Sequence, residues 1–440
     1  MNTLKLDIYR DKLQRATLFG YIGKVTRVVG LIMEVKGIYA SIGDICSIEI
    51  TGRTSQLPAE VVGFKDDSSM LMALGDLKGI SPGCRVFALG KTFKIAVGEE
   101  LLGKVVNGLG ECLGSEIPTL SGGCYSVQNE PPDPMRRKAI TDVLQTGVRS
   151  IDALLTCGIG QRMGIFAGSG VGKSTLLGMI ARNSSADVNV IGLIGERGRE
   201  VKEFIENDLG PEGLARSVVV AATSDQPALI RVKAALVATS IAEYFRDNGK
   251  NVLLMMDSIT RFAMAQREIG LAVGEPPTTK GYTPSVFAVL PKLLERAGNL
   301  ECGSITGLYT ILVEGDDMNE PIADAARGIL DGHIVLSRKI ATRNHFPAID
   351  VLESISRLMP SIASSEQQKM VSVLRNHMAV YQKNEDMINI GAYASGANHE
   401  IDAAIEINPA IIKFLKQDVT EVYSLPETLN ALTDVIGIEV

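Results

Sequence analysis

Several features that would assign the chain to a familiar class of protein are scarce or missing. Tryptophan is absent, aromatic residues make up 5% of the 440 residues, and the formal net charge is −7. This acidic balance argues against nucleic acid as the main partner, although it is compatible with a local basic surface.

Long apolar runs and paired cysteines are also missing. No stretch of about 18 uninterrupted apolar residues occurs, so the sequence predicts no membrane span. The first residues, MNTLKLDIYRDKLQRA, mix charged and apolar side chains, which is not typical of a signal peptide. The six cysteines form no Cys-x-x-Cys pair, which favours free thiols in a reducing cytosol over disulfides or a zinc site. We therefore expect a cytoplasmic protein.

The patterns that are present begin with two N-terminal segments. Residues 1–19 are weakly amphipathic and indicate either a frayed terminus or a helix that docks on a partner protein or an acidic lipid surface. Residues 20–92 contain short β-rich runs separated by glycines, which predict a small closed β-barrel. An oligonucleotide-binding barrel is one interpretation, but this stretch has few aromatics and no basic run. A structural or ring-forming role is therefore preferred.

The rest of the chain changes pattern once more. Strands and helices alternate over residues 93–350, which predicts an α/β domain with a parallel sheet, covered by helices and binding ligands at the carboxyl ends of its strands. Residues 351–440 are predicted to form a helical domain, with helices near 370–381, 409–415 and 426–436.

A phosphate-binding loop is predicted within MGIFAGSGVGKSTLLGMIARN, residues 163–183. An apolar strand, a glycine-rich turn and a helix follow one another, so backbone N–H groups and the helix N-terminus can face a phosphate. Lys173 is expected to reach the terminal phosphates and Ser174 to ligate Mg²⁺. Ala167 replaces the first glycine of the usual motif, which a negative φ would permit. The predicted nucleotide-binding residues of the loop are Gly168, Ser169, Gly170, Val171, Gly172, Lys173, Ser174 and Thr175.

Charged residues outside the loop extend phosphate binding to a hypothesis of hydrolysis. Asp257 follows five apolar residues and is predicted to hold the Mg²⁺ hydration shell. Glu196 also follows an apolar run and is placed to polarise an attacking water, with a solvated loop acid as the alternative. Arg197 or Arg199 is expected near the γ-phosphate. Arg357, in SISR, is a candidate finger for the site of a neighbouring subunit.

These motifs resemble those of the ATPases of type III protein export. The resemblance rests on GVRSIDALLTCGIGQRMGIFAGSGVGKST, IGERGREV, LLMMDSITRFAMAQRE, GEPPTTKGYTPSVFAVLPKLLERAG, VEGDDMNEPIAD and LDGHIVLSR. DDMNEPIAD is most similar to the flagellar branch, and the β subunit of rotary F-type ATP synthases is a more distant likeness. The resemblance implies a barrel, a RecA-like ATPase core and a helical domain in each of six subunits of a ring.

The resemblance also implies roles for individual residues. Lys173 and Ser174 would bind phosphate and Mg²⁺, and Asp257 would be the second carboxylate. Glu196 would be the catalytic base, Arg197 a γ-phosphate contact and Arg357 the finger acting in trans. In HFPAID, Phe346 matches an adenine-stacking aromatic, with a core phenylalanine as the alternative. Tyr393 is a second candidate, for the other face of adenine.

ATP as substrate, Mg²⁺ and a set of partners follow from the same resemblance. The partners are a stator-like regulatory protein at the N-terminal helix, a coiled-coil stalk protein inside the ring, the export gate, and chaperone–cargo complexes. No nucleic acid is expected. The location implied is the cytoplasm, peripheral to the inner face of the plasma membrane at the export apparatus.

Three other functions are weighed against flagellar export. The ATPase of a virulence injectisome belongs to the same enzyme class. A non-catalytic ring subunit of a rotary ATPase would bind nucleotide without needing Glu196. A hexameric RNA translocase fits poorly with the acidic balance and the aromatic-poor barrel.

Overall fold

The fold is that of a computed structural model, which describes residues 21–50, 56–114, 119–313, 315 and 317–437. The predicted docking helix at 1–19 lies outside the described residues. The chain divides into two compact units, one holding the described residues up to Phe93 together with Leu271–Glu275, and the other holding the remainder.

The first unit is a β-barrel. Its interior is packed with apolar side chains such as Val35, Ile48, Val61 and Val86, which are fully buried. Six described strands close in the order β1-β2-β5-β4-β3-β6, with β6 pairing back onto β1. They are β1 (Ile22–Val29), β2 (Ile32–Lys36), β3 (Asp44–Glu49), β4 (Gln56–Lys65), β5 (Ser68–Ala73) and β6 (Arg85–Thr92). The predicted closed barrel is confirmed.

The second unit is built on a largely parallel sheet. Its described strands run in the order β19-β18-β12-β17-β15-β13-β14-β8, with β16 pairing antiparallel to β17. They are β8 (Val105–Asn107), β12 (Arg162–Ala167), β13 (Val188–Ile194), β14 (Ser217–Ala222), β15 (Asn251–Asp257), β16 (Gly298–Asn299), β17 (Ser304–Leu312), β18 (Gly332–Leu336) and β19 (Ile349–Ser356). Two small ribbons complete the strands of the described residues, formed by β7 (Lys94–Ala96) with β9 (Cys124–Ser126) and by β10 (Val143–Leu144) with β11 (Cys157–Gly158).

Helices follow most strands of this sheet, as in an α/β fold. They are α1 (Arg149–Leu154), α2 (Lys173–Asn183), α3 (Gly198–Glu203), α4 (Gly210–Ala215), α5 (Ala228–Asp247), α6 (Ile259–Val273), α7 (Pro284–Leu294), α8 (Pro321–Ile329), α9 (Arg338–Ala341) and α10 (Met359–Ile362). The predicted α/β core is confirmed. Among the described residues, no helix combines the length and the apolar character that crossing a bilayer requires.

Three helices form the C-terminal part of the chain as far as the structure describes it: α11 (Ser365–Asn389), α12 (His399–Leu415) and α13 (Leu425–Ile436). The boundary predicted at residue 350 falls inside β19, which continues the main sheet to Ser356. Burial alternates over the last four residues of this strand, where Ser354 and Ser356 are buried and Glu353 and Ile355 are exposed, after a change of phase that accompanies an irregularity in its pairing with β18. That period-2 pattern keeps the segment in the sheet, and the first helix after it begins at Met359.

Candidate active site

The phosphate loop lies between β12 and α2, at the carboxyl edge of the sheet. Gly170 and Gly172 have φ of 77° and 85°, in the left-handed region that favours glycine. Ala167 is the last residue of β12, where it is fully buried and paired with β17 and β18. Its place in the strand requires no positive φ, which explains why alanine is accepted at this motif position.

Two carboxylates from neighbouring strands meet the ammonium of Lys173. Asp257 ends β15, and its Oδ1 forms a short ion pair with Lys173 Nζ. Glu196 lies just beyond β13, and its Oε1 is 3.6 Å from the same Nζ. Both carboxylates are more than nine-tenths buried. The carboxyl ends of β13 and β15 are adjacent in the sheet, which brings the three residues together.

Two further side chains hold this cluster, and neither was predicted from sequence. Arg261, in the first turn of α6, lies 3.2 Å from Glu196 Oε2 and donates to the carbonyl of Gly195. Thr310, on β17, donates to Asp257 Oδ1 at 2.7 Å. The sequence contains one indication for Arg261, which comes four residues after Asp257, the carboxylate at the end of a predicted strand. Thr310 had none, since threonine is common in strands.

The environment of Glu196 raises the pKa of its carboxyl to about 7. Burial is the main cause, the charge of Asp257 adds to it, and the Lys173 ammonium opposes it. A hydrogen bond with Glu200 raises the pKa of Glu196 further and lowers the pKa of Glu200. A carboxyl that titrates near neutrality is suited to accept a proton from water at physiological pH.

This titration predicts a pH dependence of the hydrolytic rate. If deprotonated Glu196 accepts the proton, kcat/KM for ATP should rise with pH and level off above about 7. Glu200→Ala removes the acceptor of the hydrogen bond that raises the pKa of Glu196, so the acid limb of the profile should move to lower pH. A steady-state pH profile of both proteins measures this. An unchanged profile in the variant would contradict the coupling.

Arg197, which is predicted to lie beside the γ-phosphate, has its side chain in solvent, whereas the neighbouring Glu196 is buried beside Lys173. Arg197 precedes α3, its side chain is 75% exposed, and it pairs with Glu200 at 3.3 Å. The structure therefore does not bring Arg197 into the cluster around Lys173, where Arg261 supplies the guanidinium. Ser174 is exposed in the first turn of α2, and Thr175 is hydrogen-bonded to Asp208.

An exposed aromatic ring lies against the phosphate loop. A Cβ placed on Gly172 would be 3.3 Å from a ring carbon of Phe346, and this ring is 42% exposed. The carbonyl of Phe346 accepts from Gln417 N, and the carbonyl of Val419 accepts from Arg182 on α2. Segment 417–423 therefore lies beside Phe346 and the helix that follows the loop.

The second predicted aromatic belongs to a different segment. Tyr393 lies between α11 and α12, and its hydroxyl donates to the Asn398 carbonyl and to Asp402 Oδ1 at 2.9 Å and 3.0 Å. These hydrogen bonds are local to that turn. Tyr423 belongs to segment 417–423, in which Gln417 N donates to the Phe346 carbonyl. The guanidinium carbon of Arg149 lies 4.2 Å from the centroid of the Tyr423 ring.

Arg357 is at the other edge of the sheet. It follows β19, which runs antiparallel to β18 and pairs Ser356 with Gly332, whereas Leu336 at the opposite end of β18 pairs with Ala167. Four strand residues at about 3.3 Å each separate these ends by roughly 13 Å. Arg357 is exposed and donates to the Arg327 carbonyl at 3.2 Å. The structure does not bring it to the phosphate loop of its own chain.

The oxygen ligands around the loop fit Mg²⁺. The described residues contain no cluster of three or more His, Cys, Asp or Glu that could hold a metal. Mg²⁺ commonly uses one or two protein oxygens together with nucleotide phosphates and water. The Ser174 hydroxyl and the Asp257 carboxylate would supply such oxygens.

Comparison with known proteins gives the family. Residues 147–356 match the nucleotide-binding domain of the ATP synthase alpha/beta family, residues 25–90 its beta-barrel domain, and residues 363–434 the C-terminal domain of the EscN ATPase of type III secretion. The "Flagellum-specific ATP synthase" of Bacillus subtilis is 55% identical over 430 residues, which cover 98% of each chain. This chain belongs to the ATPases of type III protein export.

Other relatives of this export ATPase come from both branches of the family. The flagellum-specific ATP synthase of Salmonella typhimurium is 50% identical over 97% of the chain and 96% of the relative. The type 3 secretion system ATPase of Xanthomonas euvesicatoria is 52% identical over 94% and 93%. The flagellar branch is the main assignment, and ATP hydrolysis is the activity of the enzyme.

Solved structures agree with the fold of the export ATPase. The assembled ATPase EscN of enteropathogenic E. coli has a TM-score of 0.89 and 48% identity, covering 94% of this chain and 100% of the other. EscN in complex with its central stalk EscO gives a TM-score of 0.87 and 47% identity over the same shares. The predicted barrel, RecA-like core and helical C-terminal region are confirmed.

Proposed function

We propose that this export ATPase forms a homohexameric ring that hydrolyses Mg²⁺-ATP to energise or prime the export of flagellar proteins. The proposal rests on the distance, within one chain, between the charged residues at the phosphate loop and the arginine predicted to complete the site. Lys173, Glu196 and Asp257 meet at one edge of the sheet, whereas Arg357 lies about 13 Å away along the strands. A ring would place Arg357 of one subunit at the phosphate loop of the next.

Each residue at the loop edge has a role in this proposal. Backbone N–H groups of Gly168 to Thr175 and the N-terminus of α2 bind the phosphates, and Lys173 neutralises the terminal ones. Bound Mg²⁺ would neutralise developing charge, with Ser174 and Asp257 as its protein oxygens. Glu196 orients the attacking water and accepts its proton.

Two arginines are candidates for the γ-phosphate. Arg261 already contacts Glu196 and lies in the first turn of α6, so a phosphate could attract it with little movement. Arg197 would have to leave Glu200 and turn inward from solvent. We therefore propose that Arg261 contributes to this contact alongside the predicted Arg197.

Phe346 is proposed to stack on adenine. Its exposed ring touches the phosphate loop, so a nucleotide with its phosphates on the loop has an apolar face available for its base. Segment 417–423 lies beside this ring, and Tyr393, the second candidate for the other face of adenine, has its hydroxyl bonded to Asp402.

Removing this ring should weaken ATP binding more than turnover. Base–aromatic stacking contributes about 1–3 kcal/mol, so Phe346→Ala should raise KM for ATP about 5- to 150-fold and leave kcat within a few-fold. Steady-state kinetics measure the change, and Phe346→Tyr is the matched control that keeps a ring. An unchanged KM in the alanine variant would refute stacking by Phe346.

Location and partners follow from the family rather than from contacts within the chain. We propose a cytoplasmic enzyme, peripheral to the inner face of the plasma membrane. EscN assembles and binds a central stalk, EscO, so a coiled-coil stalk protein is proposed here as well. A stator-like protein at residues 1–19, the export gate and chaperone–cargo complexes complete the proposed partners.

The proposed function is tested by replacing the chromosomal gene with one encoding Glu196→Gln, in the organism that carries the chain. Flagellar filament protein in the medium should fall to the level of a deletion strain, while the variant is present at normal abundance by immunoblot. Continued filament export together with lost secretion of virulence proteins would favour the injectisome function instead.

A further inference from the structure

The strand that carries Thr310 lies between the two strands that build the nucleotide site. β17 pairs with β12, which leads into the phosphate loop, and with β15, which ends at Asp257. In this register Thr310 is opposite Ile165 on one side, and Tyr309 is opposite Met256 on the other. The position after Met256 is Asp257, so the register sets Thr310 beside that carboxylate.

The hydroxyl of Thr310 is fully buried and hydrogen-bonded within the site. Its Oγ1 lies 2.7 Å from Asp257 Oδ1 and 3.2 Å from the Met256 carbonyl. A buried hydroxyl costs free energy unless it is bonded, and valine fills such a strand position without that cost. The hydroxyl is therefore better explained by its contact with Asp257 than by packing.

Lys173 and Thr310 share one oxygen of Asp257. Both contact Oδ1, so they fix the carboxylate from the same side and direct Oδ2 away from them. Lys173 is also drawn to Glu196, at 3.6 Å, and to any phosphate that enters the loop. Once Lys173 turns to a phosphate, the Thr310 hydroxyl is the contact that still orients Asp257.

We propose that Thr310 is a positioning residue that holds the Asp257 carboxylate in the orientation that ligates the Mg²⁺ hydration shell. This inference rests on the proposed role of Asp257 toward Mg²⁺ and extends it to a residue on the neighbouring strand. Thr310 itself touches neither nucleotide nor metal. Its effect is on how strongly Mg²⁺ and nucleotide favour each other's binding.

The test measures that coupling without turnover. The dissociation constant of fluorescent ADP is measured on the full chain, once with EDTA and once with saturating Mg²⁺. The coupling is the constant in EDTA divided by the constant in Mg²⁺, so a larger ratio means that Mg²⁺ and nucleotide favour each other's binding more strongly. A hydrogen bond to a charged group typically contributes enough for about a tenfold effect. Thr310→Val should lower the ratio about tenfold, and Thr310→Ser, which keeps the hydroxyl, should retain the parent ratio.

Thr306→Val is the matched control. Thr306 lies on the same strand and is also buried, but its hydroxyl accepts from Gly160 N, away from Asp257. This variant should lose thermal stability and keep the parent ratio. If Thr310→Val does not fold, Thr310→Ser and Thr310→Ala form a second pair that differs by one hydroxyl.

Asp257→Asn separates failure of the inference from failure of the role on which it rests. If Asp257→Asn lowers the ratio and Thr310→Val leaves it at the parent value, the proposal for Thr310 is overturned alone. If Asp257→Asn also leaves the ratio unchanged, the Mg²⁺ role of Asp257 is refuted, and the proposal for Thr310 falls with it.

Discussion

Glu196→Gln should abolish most ATP turnover while leaving ATP binding intact. The amide keeps the size of the side chain but cannot accept a proton from water. General-base catalysis contributes about 10²- to 10⁴-fold, so kcat should fall by that factor. Gln also removes a carboxylate that lies 3.6 Å from Lys173 Nζ, which leaves the ammonium freer to bind phosphate. The affinity for ATP should therefore be equal or higher.

Two measurements establish this outcome. Phosphate release reports turnover, and fluorescence titration with an ATP analogue reports binding. Glu203→Gln is the matched control, because it removes a carboxylate nearby in the chain that is half exposed and pairs only weakly with Arg199. Retained hydrolysis in Glu196→Gln would refute the base assignment, whereas ATP binding without hydrolysis in the parent protein would favour a non-catalytic ring subunit.

The core of this site could be predicted because its geometry is set locally and by strand direction. Gly170 and Gly172 provide a left-handed turn before Lys173, and this needs no tertiary information. Glu196 and Asp257 each follow a buried strand, and the carboxyl ends of parallel strands meet at one edge. Proximity of the two acids to Lys173 follows from that rule.

The residues that sequence reasoning missed depend on side-chain direction and register. Arg197 is adjacent to Glu196 in sequence, yet its guanidinium faces solvent, whereas Arg261 arrives from a different strand-to-helix junction. Thr310 reaches Asp257 only because β17 pairs with β15 in the observed register. A single sequence without known pairings contains neither fact.

Helix boundaries also depend on tertiary packing, which a single sequence does not reveal. The second of the three predicted C-terminal helices, 409–415, begins at a proline, a residue that is favoured in the first turn of a helix. In the structure Pro409 lies inside α12, which begins at His399 after the capping side chain of Asn398. Ala404, Ile411 and Phe414 bury one face of this helix, and this packing outweighs the local cost of the proline.

Arg357→Ala should remove most of the ATPase activity of the ring. A guanidinium that stabilises transition-state charge contributes about 10³- to 10⁵-fold to kcat in related phosphoryl transfer. Arg357 is exposed at the sheet edge opposite its own loop, so this contribution requires a neighbouring subunit. Specific activity of the parent should rise with protein concentration as rings form, and the variant should stay low at every concentration.

Mixed rings decide whether Arg357 acts in trans. Glu196→Gln and Arg357→Ala subunits, co-expressed with different tags and purified through both, should regain activity that neither has alone. A seam is competent when a subunit with intact Glu196 meets a neighbour with intact Arg357, which random assortment gives at about a quarter of the seams. Arg357→Lys keeps the charge but loses the bidentate fork, so it should restore little. If Arg357 served its own subunit, every mixed ring would lack one of the two groups at each site and would remain inactive.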